Sequence, residues 1–306
     1  MRVLHVDTAR ELRGGQRQLA YLLAGRPGDA WAGCADGLLA AEIGPPALAL
    51  RPAADPRSLV PLRRFAADFD VVAAHTPHAH TLALFTGRPI VVHRRVDFVP
   101  KHPWKYQSVT TIAVSDAVRR VLVAAGVERV HVVHDGVAPV PIGIRIPAEG
   151  PVWGAAGALV DHKGHTHLVA AMRDVPGTLL LAGEGPLRGA LERQVAELGL
   201  AGRVRLLGHV PIGDLFASID VLVHPSVEEG LGQVLIEALG AGLRVVATRA
   251  GGAPEVVEGV GILVPPADPV ALATGMRAAL DAPAGAGVAR ASAFSVARMV
   301  ARTGAI

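Results

Sequence analysis

Short, continuously apolar runs alternate with helical patterns along the whole chain, and few folds accept that pattern. In the first half the runs are Val3–Val6, Ala47–Leu50, Val71–Ala74, Ile90–His93, Thr111–Val114 and His131–His134. Helical patterns such as Gln16–Ala24 and Asp116–Ala125 lie between them. Strands without polar alternation are buried on both faces, so helices must cover both sides of a parallel sheet. A proline-rich stretch, Val137 through Pro151, interrupts the pattern and reads as a linker. The alternation then restarts with Val152–Ala155, Thr178–Ala182, Arg203–Leu206, Val221–His224, Arg244–Ala247 and Gly261–Val264. Two α/β domains are expected, residues 1–143 and 144–306. The apolar tail Ser295–Ala301 is expected to dock as part of a final helix over residues 293–306, and packing back on the first domain is one option. No short-period repeat is present, which excludes a solenoid.

Composition limits the setting. Half of the 306 residues are apolar, enough for two cores. One cysteine, Cys34, excludes a disulfide framework and a cysteine-based metal site, so a reducing cytoplasm is expected. Met1–Asp7 does not resemble a signal peptide, and no apolar run reaches the roughly 18 residues of a membrane span. The net charge of +3 and pI near 9.5 suit anionic ligands or an anionic membrane surface. No basic helix with interleaved aromatics and no zinc-finger spacing points to nucleic acid.

The densest polar cluster is Pro225–Ala238, which follows the buried run Val221–His224. Gly230 and Gly232 mark the passage from turn to helix, with Leu231 between them. Ligands of open α/β sheets bind beyond the carboxyl ends of the strands, where a helix N-terminus offers backbone N–H groups to phosphate. Glu229 sits in the turn and Glu237 is expected about two turns into the helix. Carboxylates accept hydrogen bonds from paired hydroxyls, so two acids here suit a sugar and a ribose. On spacing alone both acids read equally well as helix-start charges. A second cluster, Gly157–His165, carries Lys163, which on pattern alone reads as a solvated loop lysine. Gly183-Glu184-Gly185-Pro186 closes another strand, where Pro186 opposes a dinucleotide turn. In the first half, Gly14, Gly15 and Gln16 open a helix after the first strand. The Gly-x-Gly-x-x-Gly of a nicotinamide domain is missing there. Histidines gather at His75, His78 and His80, and again at His93, but no carboxylate or cysteine completes a metal set.

Taken in order, these motifs resemble the retaining glycosyltransferases of the GT-B fold, family 4. Pro225-Ser226-Val227-Glu228-Glu229-Gly230-Leu231-Gly232 with Leu235–Ala238 is similar to that family's Glu-x7-Glu segment, with Leu231 at the usual Phe. Arg244–Gly252 with Pro254–Val257, and Gly261–Asp268, are similar to its next segments. Gly157–Gly164 resembles its Gly-Arg-Leu-x-x-x-Lys-Gly segment, with Ala158 at the Arg. His93 stands at the family's strand-end His, and Ser115 heads a similar capped helix. His134-Asp135-Gly136-Val137 resembles its Asn-Gly-Val turn, with Asp135 at the Asn.

The resemblance implies two Rossmann-like domains with parallel sheets facing a central cleft, and transfer from a nucleotide-diphosphate sugar with retention. It implies a donor diphosphate on Lys163, donor-sugar hydroxyls on Glu229 and His93, and a ribose on Glu237. Gly14, Gly15, Gly157, Gly183, Gly185, Gly230, Leu231 and Gly232 would line the donor side. Gln16, His78, His80 and Asp97 are the acceptor-side candidates. No metal and no cofactor beyond the donor is expected, because no Asp-x-Asp stands at a strand end. The acceptor is expected to be a glycan or lipid-linked precursor, such as one of lipopolysaccharide, met at the inner face of the cytoplasmic membrane. A nucleotide-sugar 2-epimerase and a non-catalytic nucleotide-sugar binder are the alternatives. A nicotinamide oxidoreductase is more remote.

Overall fold

A computed structural model describes residues 1–306. The chain divides into two compact units, Met1–Gly136 with Val296–Ile306, and Val137–Ser295.

The first unit runs β1 (Val3–Asp7), α1 (Gly14–Gly25), β2 (Ala30–Gly33), α2 (Leu38–Ile43), β3 (Leu48–Ala49), α3 (Leu59–Ala66), β4 (Val71–Ala74), α4 (Pro77–Ala83), β5 (Ile90–Arg94), β6 (Thr110–Ala113), α5 (Asp116–Ala124) and β7 (Val130–Val132). The seven strands are parallel, in the order β3-β2-β1-β4-β5-β6-β7. All five residues of β1 are buried, as expected of a central strand covered on both faces. One face packs Leu4, Val6, Val72 and Ala74 against Leu62, Ala66 and Leu82. Behind the other face lie Leu19, Trp31 and Leu39, and separately Leu22, Ile112 and Val133. Thr76 and Ser115 cap α4 and α5 by accepting from Ala79 N and Val118 N.

The second unit runs β8 (Val152–Ala156), α6 (His165–Ala171), β9 (Thr178–Ala182), α7 (Arg188–Glu197), β10 (Val204–Gly208), α8 (Ile212–Ser218), β11 (Val221–His224), α9 (Gln233–Gly240), β12 (Arg244–Thr248), α10 (Ala253–Val257), β13 (Ile262–Val264), α11 (Pro269–Asp281) and α12 (Val288–Ser292). Its six parallel strands follow the order β10-β9-β8-β11-β12-β13. Trp153, Leu168, Met172, Leu179, Leu191, Val223 and Met276 centre its core. Both sheets follow the doubly wound order, which reverses direction between β1 and β4 and between β8 and β11.

The chain closes with α13 (Val296–Gly304), which returns to the first unit. Met299 joins Leu22, Ile112 and Val133, and a Cβ on Gly25 would lie 2.8 Å from Val300, so α1 and α13 approach closely. The division falls after Gly136, earlier than the 143/144 expected from composition. The reason is hydrogen bonding: Val137 N donates to Phe294 O, Ile144 N to Asp214 Oδ1 and Ile146 N to Ser218 Oγ, tying the proline-rich stretch to the second unit. No helix is long and apolar enough to cross a membrane.

Candidate functional site

In the second unit the reversal of strand order leaves the carboxyl ends of β8 and β11 side by side. A turn of 3-10 helix, Asp161–Lys163, follows β8, and the segment 225–232 follows β11. Gly164 brings them into backbone contact: its φ is +66°, and a Cβ there would lie 2.0 Å from Pro225 O. Val227 N donates to His162 O at 2.8 Å. This fixes Lys163 opposite Glu229, with Nζ 2.6 Å from Oε2. His224, the last residue of β11, brings Nε2 to 2.7 Å from the same oxygen, and Ser226 Oγ donates to it at 3.3 Å. A carboxylate only accepts, so His224 carries its proton on Nε2. Thr248, at the end of β12, donates to the carbonyl of Ser226.

Burial alone would push the Glu229 carboxyl up. The hydrogen bond and charge of His224, and then the charge of Lys163, overcome it and hold the group well below the usual carboxylate range. The side chains of Lys163 and Glu229 stay 23% and 11% exposed, so a ligand can reach both.

Gly232 caps α9 with φ +88°, and Leu231 is buried beside it. Glu237 is half-buried one turn into α9, not two, because the helix begins only at Gln233. Gly157, Gly183 and Gly185 form a tight crossing. A Cβ on Gly183 would lie 1.9 Å from Gly157 O, and one on Gly185 2.5 Å from Leu159 O. These glycines let the β8 and β9 loops touch. His165 is buried near Gly157, and its ring nitrogens meet no well-formed hydrogen-bond partner. Burial, then the charges of His224 and Lys163, lower it to about 4.

In the first unit the corresponding reversal adjoins β1 and β4. Thr8 Oγ1 and Thr76 Oγ1 share a hydrogen bond of 3.2 Å across it. Gly14 and Gly15 fall inside the first turn of α1 and not before it. Gln16 points inward: Nε2 donates to Asp7 Oδ2 at 2.9 Å, and Oε1 accepts from Arg13 N. Burial raises the Asp7 carboxyl against the lowering effect of the bonds from Ala9 N and Gln16. His80 also turns inward, pairing with Lys105 O at 3.1 Å and meeting Tyr106 edge-on. Gln16 and His80 thus hold the fold with the groups expected to face an acceptor. His78 is exposed on α4, and Asp97 is half-buried beyond β5.

His93 ends up in company that its sequence position did not reveal. It is buried, with Nε2 unpartnered, and stacks on His75 at 4.3 Å between ring centroids. His75 meets His5 of β1, and Arg95 pairs with Asp135 at 3.0 Å. No group of three or more His, Cys, Asp or Glu side chains is arranged around a common metal position.

Residues 150–282 match the family described as Glycosyl transferases group 1. The structure of HepE from Anabaena in complex with UDP and glucose superposes with a TM-score of 0.87 at 23% identity, covering 100% of this chain and 98% of that one. The fold is that of the GT-B glycosyltransferases. The 2-deoxystreptamine glucosyltransferase of Streptomyces kanamyceticus is 37% identical over 150 residues, 45% of this chain and 39% of that protein. The lipopolysaccharide core biosynthesis glycosyltransferase LpsD of Rhizobium meliloti is 38% identical over 145 residues, 46% of this chain and 42% of that protein. The chain thus matches about two fifths of the length of these curated relatives.

Proposed function

We propose that the protein is a retaining, metal-independent family 4 glycosyltransferase that moves a sugar from a nucleoside-diphosphate sugar to an acceptor hydroxyl. The observation that carries this reading is the Lys163–Glu229 pair at the switch point of the second unit, inside the residues that match the glycosyltransferase family. Lys163 supplies the cation for charge developing on the departing diphosphate. Glu229, held ionised, accepts from the donor sugar's hydroxyls, and Glu237 accepts from the ribose. His93 hydrogen-bonds a sugar hydroxyl through a ring nitrogen. The amides of Gly14 and Gly15 offer a positive helix start to an anion. Two acids that bind hydroxyls do not form the acid–base pair of a hydrolase. No cofactor beyond the donor is assigned.

The test is a thermal-shift screen against UDP, GDP, ADP, CDP and their sugar conjugates. The HepE complex makes UDP the first to try. A bound nucleotide at a hundredfold excess over its Kd stabilises the fold by about 2.7 kcal/mol. We expect one nucleotide to raise the midpoint, the shift to vanish in Glu237→Ala, and its sugar conjugate to be turned over with an acceptor. A protein shifted by none of them is not this enzyme. Ala158 at the family's Arg position favours one rival, a nucleotide-sugar binder without transfer, and a shift without turnover would select it.

The proposed acceptor is a glycan or lipid-linked envelope precursor, met by a cytoplasmic protein at an anionic membrane surface. A loop after β5 supports the contact. Phe98, Val99 and Trp104 are exposed there beside Lys101 and Lys105. Arg94 donates to Phe98 O at 2.6 Å and His80 pairs with Lys105 O, so the loop is anchored at both ends. Aromatics with neighbouring cations suit the headgroup region of anionic lipid. Trp31 and Trp153 are buried and Trp104 is 61% exposed, so tryptophan emission reports on this loop. Phosphatidylglycerol vesicles should shift that emission to the blue, and salt should reverse it. Unchanged emission excludes the contact.

A further inference from the structure

The imidazoles behind His93 are joined end to end. Asp29 Oδ2 lies 3.3 Å from His5 Nε2, His5 Nδ1 lies 2.9 Å from His75 Nε2, and His75 Nδ1 lies 3.5 Å from Arg95 Nη1. The two ends of this chain are chemically fixed. A guanidinium only donates, and an ionised carboxylate only accepts. Arg95 is itself held by Asp135, and Asp29 also accepts from Arg26 Nε and Val3 N. Only one placement of protons then satisfies all three contacts with neutral rings. Arg95 donates to His75 Nδ1, His75 donates from Nε2 to His5 Nδ1, and His5 donates from Nε2 to Asp29.

We propose that Arg95, His75, His5 and Asp29 form a one-way hydrogen-bond relay that locks His75 as its neutral Nε2–H tautomer and thereby positions His93. His75 lies nearly parallel to His93, with 16° between the planes. A proton added to His75 would have to sit on Nδ1, facing the guanidinium. A proton added to His93 would bring a second cation next to Arg95 in a buried place. The charged and titratable groups facing these rings are Asp29 and Arg26 at His5, Arg95 at all three, and the rings themselves. Burial first, and then Arg95 and the other rings, keep His75 and His93 below the ordinary imidazole range, and burial keeps His5 below it against the raising effect of Asp29. His93 therefore stays neutral, able to donate from one nitrogen and accept at the other. His75 and His5 are positioning residues, while contact between His93 and a sugar rests on the reading proposed above.

Long-range proton–nitrogen NMR of the 15N-labelled protein tests the relay without reference to activity. His5 and His75, assigned through substitution at each, should both show the neutral Nε2–H pattern, unchanged from about pH 8 to about pH 5.5. An Nδ1–H or charged His75 in that range overturns the proposal. Two variants test the consequence. His5→Leu removes the acceptor of the His75 Nε2–H while Arg95 still fixes the tautomer, so it should shift the His75 Nε2 signal and lower kcat about tenfold. His5→Gln can donate to Asp29 and accept from His75, so it should restore both the His75 signal and most of the rate. A His5→Leu protein with a shifted His75 Nε2 signal and an undiminished rate overturns the positioning role. Should His5→Leu fail to fold, the wild-type spectrum and the His5→Gln pair decide. A protein with the relay intact but no transferase activity with any donor refutes the enzyme reading and leaves the relay standing.

Discussion

Lys163 and Glu229 neutralise one another at 2.6 Å. A diphosphate placed beside Lys163, as proposed, would compete for the same ammonium, while His224 and Ser226 keep Glu229 paired. Removing the lysine should therefore leave the acid in place and strip the cation from the leaving group. We expect Lys163→Ala to lower kcat/KM by about 100-fold or more, the cost of one preorganised electrostatic contact. Its thermal midpoint should stay close to that of the parent, because the pair is partly exposed. Steady-state kinetics beside a melting curve would measure both, and a loss of less than about threefold would remove Lys163 from the chemistry. Both residues were legible in the sequence, since each stands in a short motif next to an apolar run. Their helpers were not. His224 closes the apolar run Val221–His224, and only the return of the turn brings Glu229 to it. His5 sits between Leu4 and Val6 and reads as part of a strand. The ends of β1 and β4, and the residues after β5 and β7, must be set side by side before His5, His75, Arg95 and Asp135 become a group.

Among the elements, the loops at the switch point depend on glycine more than their helices depend on propensity. Gly164 and Gly199 have nearly the same φ, +66° and +68°. A Cβ on Gly199 meets nothing within 4 Å, while on Gly164 it would meet Pro225 O at 2.0 Å. Gly199→Ala should thus cost only the left-handed strain, about 1–2 kcal/mol. Gly164→Ala should cost about 3 kcal/mol or more, since the β8 and β11 loops must also part. That parting would draw Lys163 from Glu229, so donor binding should fall with stability in Gly164→Ala and stay intact in Gly199→Ala. Urea unfolding with nucleotide titration would compare the two, and equal penalties would refute the close-approach account. Most strands were legible because continuous apolar runs need burial on both faces. The strand Ala30–Gly33 was not. Its small residues carry little pattern, and Gly33 is set by the approach of Asp7 O, 2.3 Å from where its Cβ would be. Likewise α9 starts later than its pattern suggests, because Gly232 turns left-handed before it.

For the whole molecule, buried neutral histidines dominate the response to acid. His80 and His165 are lowered to about 4, and His5, His75 and His93 are also lowered, in every case chiefly by burial. The folded forms bind protons less readily than an unfolded imidazole near 6.5. Protons therefore favour unfolding as pH falls below about 6.5, and for His80 and His165 the loss continues to about pH 4. A shift of that size corresponds to roughly 3 kcal/mol for one fully buried ring. Asp29 behaves differently: burial raises it, but bonds from His5 and Arg26 bring it to about 2, so its contribution is present above about 4 and is lost only on approach to pH 2. The chain already carries +3, and each added proton increases its self-repulsion. We therefore expect the calorimetric midpoint to fall steadily from about pH 6.5 to about pH 4.5, before most carboxylates titrate. Four of the five rings, His5, His75, His80 and His93, lie in the first unit, so acid should weaken that unit first. Amide exchange at about pH 5 should show its strands losing protection ahead of those around Trp153. His165→Leu should lessen the acid loss in the second unit alone. A midpoint that holds level down to about pH 4.5 would mean that these rings are hydrated or already charged in the folded protein, and the burial that sets them neutral would have to be abandoned.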